Sequence, residues 1–440
     1  MRYIFFTGLL LAALTQASAA TFFPYPYQQE TLPNGLKAIV ISTPSPGLVA
    51  YFTVVRTGSR DEVEPGKSGF AHFFEHMMFR GTKKYPGPEY DRLVTSMGAH
   101  SNAATTDDFT MYHLTFPKED LEKVIELESD RFQNLNYAEP AFQTEAGAIY
   151  GEYRKNITNP FVLLEEKLLD RAYDVHTYKH TTMGFEADVK AMPEAYDYSL
   201  SFFNRFYRPE NAVILVIGDV DPQAAFALIR KYYGGWKKGY APPKIAAEPP
   251  QTAERNVDIE YPGKTLPVLC LAYKGAAFDP GSRQYAAARL LNDLAFGETG
   301  ELYKKLVIRE QKVQFIFADV PMNRDMPLFT IVAMVKNPDD IDSVQKSIEQ
   351  TIKEFQTTLV NERKLDDVKS HNKYLFLDSL DSPNRVAEAL VRYIAMSGGI
   401  EAVDQLYAQY DLVTAEDIRR AAQQYYQPKQ RTIAVLKGEK

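Results

Sequence analysis

One cysteine in 440 residues rules out an internal disulfide, so packing of apolar side chains must hold this chain together. That thiol, Cys270, lies in the apolar run VLCLAY and reads as a small buried hydrophobe. Positive charge is also short: the formal net charge is −7 and the pI near 5.7. No basic run interleaved with aromatics occurs, which together with the charge argues against nucleic-acid binding. Past the N-terminus no stretch reaches about 18 unbroken apolar residues, so no transmembrane helix is expected. A G-x-S-x-G elbow is missing, and with it the support for a general esterase or amidohydrolase reading. Histidine is scarce too, seven in all, so any clustering of imidazoles carries information.

What is present suffices for large cores. Hydrophobic residues make up 45% of a chain too long for one core, and two domains of some 200 residues are the natural division. Residues 1–20 read as a signal peptide: Met1-Arg2, an apolar run over 3–14, then the small residues 17–20. Cleavage is expected before Ala20 or Thr21, with export to a periplasm or beyond. No cysteine follows the apolar run, so no lipoprotein anchor is indicated.

Two of the seven histidines stand four apart, in His72-Phe73-Phe74-Glu75-His76. On a helix, His72, Glu75 and His76 share one face, where two imidazoles can hold Zn²⁺ while Glu75 takes a proton from water beside it. Phe70, Phe73, Phe74, Met77 and Met78 give the helix its apolar faces, and Gly69 and Gly81 bracket it. The order His-x-x-Glu-His is that of the inverzincins. A third ligand must come from elsewhere. Glu145 and Glu152, seven apart in EPAFQTEAGAIYGEYRK, project to one side of a second helix. One can bind the metal while the other stands beside or behind it. A rival pair, His176 and His180, has no carboxylate between its imidazoles and reads as packing or loop histidines. A strand over 109–116 is led into by the small-residue stretch 101–106, and an edge strand there can take up an extended peptide by backbone pairing.

Taken in order, these motifs resemble the pitrilysin/insulinase-type (M16) zinc metallopeptidases, in particular the bacterial and mitochondrial-processing-peptidase-like group. Further likenesses are Gly98-Ala99-His100-Ser101-Asn102-Ala103-Ala104-Thr105-Thr106, similar to the family's Gly-x-x-x-Asn-Ala-x-Thr strand, and Tyr207-Arg208-Pro209-Glu210-Asn211-Ala212, similar to its Tyr-x-Pro-x-Asn-Ala hallmark. The resemblance implies one zinc ion held by His72, His76 and Glu152, with Glu145 accessory and Glu75 the catalytic base. It implies that Asn102 and Ala103 bind the substrate backbone, and that short or unfolded peptides are cut. Some relatives keep the fold and lose the chemistry, so a non-catalytic scaffold is the competing class.

The chain also repeats itself. Val54–Gly58 is echoed by residues 271–275, an offset of 217, and YRPE at 207 by YQPK at 426, an offset of 219. Long amphipathic helices over 119–135 and 343–360 are mixed with short strands. The expected fold is α+β: two homologous α/β-sandwich domains forming half of a clamshell. Its expected limits are a zinc-binding domain over 21–240, a Pro/Ala-rich linker over 241–251, and a second domain over 252–440 without a metal site. There His72, Glu75 and His76 map near Arg289, Asn292 and Asp293, a poor zinc set. The resemblance also implies an arginine and a tyrosine from a second-half-type domain; this chain has Val307 and Phe315 near those positions. Arg309 is close but out of register, so either Arg309 substitutes or a separate partner subunit supplies the missing groups. The reading favours a dimer with a zinc-free homologous subunit that supplies the pair, a homodimer being the other form.

Overall fold

The computed structural model describes residues 21–439; the signal-peptide expectation, on residues 1–20, lies outside them. The first sheet contains β1 (Tyr27–Thr31), β2 (Lys37–Ser42), β3 (Leu48–Val55), β4 (His100–Thr105), β5 (Thr110–Pro117) and β6 (Ala212–Gly218). Their spatial order is β1-β2-β6-β3-β5-β4. The second holds β7 (Arg255–Tyr261), β8 (Val268–Lys274), β9 (Val313–Asp319), β10 (Leu328–Val335) and β11 (Arg431–Gly438), in the order β7-β11-β8-β10-β9. Apart from β1, the two orders are the same. In each, one parallel pair (β2 with β6, β7 with β11) is followed by antiparallel neighbours. Lys37 answers to Arg255 and Ala212 to Arg431, shifts of 218 and 219 that agree with the sequence echoes.

The central strands β6 and β8 are apolar at nearly every position because both faces of each sheet are covered. On the first sheet, Ile214 and Val216 point into a core with Phe73 and Phe74. Val213, Leu215 and Ile217 point the other way, into a core shared with Leu390 and Ile394 of helix Pro383–Ser397 from the second half. The cover is reciprocal. Helix Pro160–Ala172, from the first half, lies on β7 and β11 and packs Leu164 and Leu168 with Cys270, Ala272 and Leu436. Each leucine so buried contributes about 1.5–3 kcal/mol, so each half stabilises the other's sheet. Cys270 lies under that helix, and burial pushes its thiol up to about 12, which leaves it unreactive near neutral pH.

Strand β4 is one edge of the first sheet and helix Phe70–Met77 lies against it. Helix Glu139–Asn156 packs on that short helix, with the rings of Phe73 and Phe142 in a T-shaped contact at 5.0 Å. These three elements carry the candidate site.

Candidate metal centre

Helix Phe70–Met77 has eight residues, too few to be stable alone in water. Packing holds it: Phe70, Phe73, Phe74 and Met77 are 0–1% exposed. Its N-terminal residue Gly69 has φ +92°, and a Cβ there would meet the Met183 carbonyl oxygen at 2.8 Å, so glycine is required. With no capping side chain at Gly69, the cap comes from Glu62, whose buried carboxylate accepts the Gly69 and Ala71 N–H groups at 2.7 and 2.6 Å. Burial pushes the Glu62 carboxyl well above its ordinary range, and these two backbone hydrogen bonds work against that rise. At the other end, Tyr112 donates its hydroxyl to the Phe74 carbonyl at 3.0 Å and bonds the Tyr207 hydroxyl at 2.7 Å. The hallmark Tyr207–Asn211 stretch therefore pins this helix: Asn211 donates to Thr57 Oγ1 and the Phe206 carbonyl, tying off the end of β3.

His72, His76 and Glu152 come together here, each offering one donor atom within 4.8 Å of the others. Glu152 Oε2 lies 3.4 Å from His76 Nε2 and 3.8 Å from His72 Nε2. Donors at 2.0–2.2 Å around a tetrahedral ion would be about 3.4 Å apart, so the spacing fits a zinc ion. The protonation states fit as well. His76 Nδ1 donates to Glu145 Oε1 at 3.0 Å, which turns the lone pair of Nε2 toward Glu152. Burial pushes the His72 imidazole below its ordinary value, keeping it neutral. A carboxylate oxygen facing two imidazole nitrogens at these distances is an arrangement that a bound cation would satisfy. His72 Nδ1 is buried without a hydrogen-bond partner among the described residues.

The two glutamates of the second helix take different places. Glu152 reaches the imidazole nitrogens, while Glu145, 3% exposed, stands behind His76. The Glu145 hydrogen bond raises the pKa of His76. Burial pushes the Glu145 carboxyl upward, but hydrogen bonds from His76 and Arg80 outweigh it and hold the carboxyl below its usual range. Arg80 donates through Nε to Glu145 Oε2 at 2.5 Å. Glu145→Gln should weaken zinc binding about 10- to 100-fold, read by competition against a chelating dye, with the far-ultraviolet circular dichroism unchanged.

Glu75 shares the helix face with the imidazoles, and Thr105 Oγ1, at the end of β4, donates to its Oε2 at 2.7 Å. Asn102 lies exposed on this edge strand, opposite His113. Ala103, 8% exposed, turns inward into the core that contains Phe73 and Phe74. A larger side chain there would push the helix off the strand.

The second half contributes no comparable set. Among the described residues the three-donor group at His72, His76 and Glu152 is the only one. Arg289 donates to the Tyr410 hydroxyl and the Val320 carbonyl, Asn292 to the Ala318 carbonyl, and Asp293 accepts from Asn372. Arg309 is a surface side chain, 58% exposed, whose ion pair is with Glu301 at 3.6 Å. Val307 packs on a core, and the Phe315 ring lies against Phe161 and Phe317. His176 and His180 are packing groups: His176 Nε2 bonds Asp325 at 2.9 Å, and His180 Nδ1 donates to the Thr181 carbonyl at 2.9 Å.

Sequence reasoning missed three residues of the site: Glu62, Arg80 and Thr105. Arg80 follows His76 by four positions, and Thr105 sits inside the Asn102 motif, so each left a trace. Glu62 left none, because its partner is the helix's own backbone.

The chain is similar to known proteins along nearly its whole length. The model of a family described as Insulinase (Peptidase family M16) matches residues 37–186, and one described as Peptidase M16 inactive domain matches 195–372. The zinc protease PqqE of Helicobacter pylori is 28% identical over 447 residues, spanning 99% of this chain and 98% of that one. The crystal structure of a protease from Helicobacter pylori superimposes with a TM-score of 0.87 at 28% identity, covering 94% and 99% of the two chains. The periplasmic protease PqqL of Escherichia coli shares the fold, with a TM-score of 0.76 at 20% identity over 95% of this chain and 48% of its own.

Proposed function

The chain belongs to the M16 peptidase family, and from that premise we propose that it is a zinc-dependent endopeptidase that cleaves short or unfolded peptides. One observation carries the reading: two imidazoles from one helix and a carboxylate from another converge on a common point, with a second carboxylate, Glu75, on the same face. His72, His76 and Glu152 would hold the ion. Three protein donors leave the fourth position of a tetrahedral site open, as catalytic rather than structural zinc requires. When bound, zinc would polarise the scissile carbonyl and bring a water's pKa near 7.

The remaining work falls to this chain's own side chains. Glu75 takes the proton of the attacking water and later passes it to the leaving amine. The hydrogen bond from Thr105 fixes the carboxylate through Oε2, which leaves Oε1 for the proton. The free edge of β4 pairs with an extended peptide backbone near Asn102 and Ala103, an arrangement indifferent to side-chain sequence. We take residues 21–240 as the catalytic domain, 241–251 as the connection and 252–440 as the second domain.

Such a half-clamshell needs a second half. Val307 and Phe315 are apolar and packed, and Arg309 is engaged with Glu301. A partner subunit, zinc-free and homologous, would then supply the cationic and phenolic donors for the tetrahedral intermediate. The chain spans about half of PqqL, in keeping with a pairing of two such units. No helix of the described residues is long and apolar enough to cross a membrane. The first twenty residues support an exported location.

Purified protein should contain one zinc per chain and hydrolyse a quenched peptide library. Activity should vanish on chelation and return with added zinc. Zinc-loaded protein that cuts no member of the library would point instead to a scaffold role.

A further inference from the structure

Residues 58–62 form a hub that touches both the β4–β5 turn and the N-terminus of the metal-binding helix. The Ser59 and Arg60 N–H groups donate to the carbonyls of Thr106 and Asp107, in the turn between β4 and β5, at 3.3 and 2.8 Å. Gly58 makes that approach possible, since a Cβ there would stand 2.2 Å from the Thr106 carbonyl oxygen. Four residues after Gly58, Glu62 caps the helix that carries His72, Glu75 and His76. Between these contacts lies Asp61, whose side chain is fully buried and accepts the Gly58 N–H at 3.1 Å.

The partner of Asp61 comes from the other half of the molecule. Arg324, in the loop between β9 and β10, donates through Nη2 to Asp61 Oδ2 at 2.7 Å. The same guanidinium reaches Asp108 in the β4–β5 turn, with Nε at 3.2 Å from Oδ1 and Nη2 at 2.8 Å from the Asp108 carbonyl. The Arg324 N–H donates to Asp108 Oδ2 at 3.2 Å. Asp61 and Asp108 are both buried, and a planar fork between them answers two carboxylates at once. Arg60 also approaches both, Nη1 at 3.3 Å from Asp61 and Nε at 3.9 Å from Asp108, but its short contact, 2.5 Å, is with Asp325.

We infer that Arg324 is a positioning residue for catalysis: it holds the end of the substrate strand against the metal-binding helix, so the second half takes part in setting Glu75. The bonds close a ring. Glu75 is held by Thr105, Thr105 adjoins the turn bearing Asp108, Arg324 joins Asp108 to Asp61, and Glu62 next to Asp61 caps the helix of Glu75. Without the Arg324 guanidinium, two buried carboxylates face each other across the ring with Arg60 the one cation left beside both, the Tyr178 hydroxyl donating to Asp108 at 2.8 Å, and the turn and the helix shift apart. Thr105 adjoins the turn, whereas Asn102 is three residues farther along the strand. The disturbance therefore falls on proton transfer more than on peptide binding.

This inference rests on the peptidase reading, and the experiment separates the two. In the full zinc-loaded chain, Arg324→Gln should lower kcat about 10- to 100-fold while KM changes much less. Zinc content should match that of the wild type, and the melting midpoint should stay well above the assay temperature. Arg324→Lys should recover part of the rate through its charge, and Asp108→Asn added to Arg324→Gln should recover part by removing the repulsion. Hydrogen exchange gives a readout independent of turnover: the Arg60 and Ala71 amides should exchange faster in Arg324→Gln, with the second half unchanged outside the β9–β10 loop. Wild-type kcat in Arg324→Gln, or a loss that follows zinc release or melting, overturns the inference. If the wild-type protein cuts no peptide, the peptidase reading fails, and unaltered exchange at Arg60 and Ala71 would then overturn the positioning role by itself.

Discussion

Glu75→Gln should lower kcat for peptide hydrolysis about 1,000-fold, within the range that general acid–base groups contribute, while zinc stays bound at wild-type occupancy. Glutamine keeps the size and shape of glutamate, and its amide oxygen can still accept the Thr105 hydroxyl. What it loses is the ability to hold a proton between the attack on the carbonyl and the departure of the amine. Glu75 is absent from the three-donor group, so the ion is expected to remain. Metal analysis beside kinetics on a quenched peptide is the appropriate pair of measurements. A variant turning over at the wild-type rate would remove Glu75 from the mechanism.

Glu152→Gln should weaken zinc binding by more than about 100-fold, beyond the span observed for groups that merely orient a ligand. The loss is electrostatic. The carboxylate is the only anion among the three donors, and a neutral amide leaves two imidazoles to face the cation alone. The side chain is 34% exposed, so the fold without metal should melt within about 1 kcal/mol of the unaltered protein. Zinc should therefore raise the melting midpoint of the wild type, by linkage, and barely move that of the variant. Equal zinc-dependent shifts in the two would exclude Glu152 as a ligand. Together with the smaller effect expected for Glu145→Gln, this would separate the two helix carboxylates by function.

Much of the site was legible before any coordinates, because helical periodicity is local. His72, Glu75 and His76 had to share a face if they lay on a helix, and so did Glu145 and Glu152. The alternation over 109–116 located β5, and the small residues before it located β4. The echo of YRPE by YQPK foretold two sheets of the same order. Less legible was the meaning of single residues within a motif. Ala103 seemed a place for substrate to approach, yet its side chain serves the packing of the metal-binding helix. Tyr207 and Asn211 matched a family hallmark, and only their partners, Tyr112 and Thr57, revealed a structural task.

Sequence by itself determined which atoms are available for chemistry, and on which faces of their own helices or strands they stand, since that follows from backbone geometry within a few residues. Tertiary structure decided which faces meet. It set Glu152 rather than Glu145 against the imidazole nitrogens, brought Glu62 to a helix end whose own cap residue has no side chain, and exchanged a covering helix between the halves. It also sent Arg324 across more than two hundred residues of chain to two buried carboxylates. No local pattern records such contacts, because each depends on the packing of whole layers, and a buried charge is tolerated only where that packing delivers its partner.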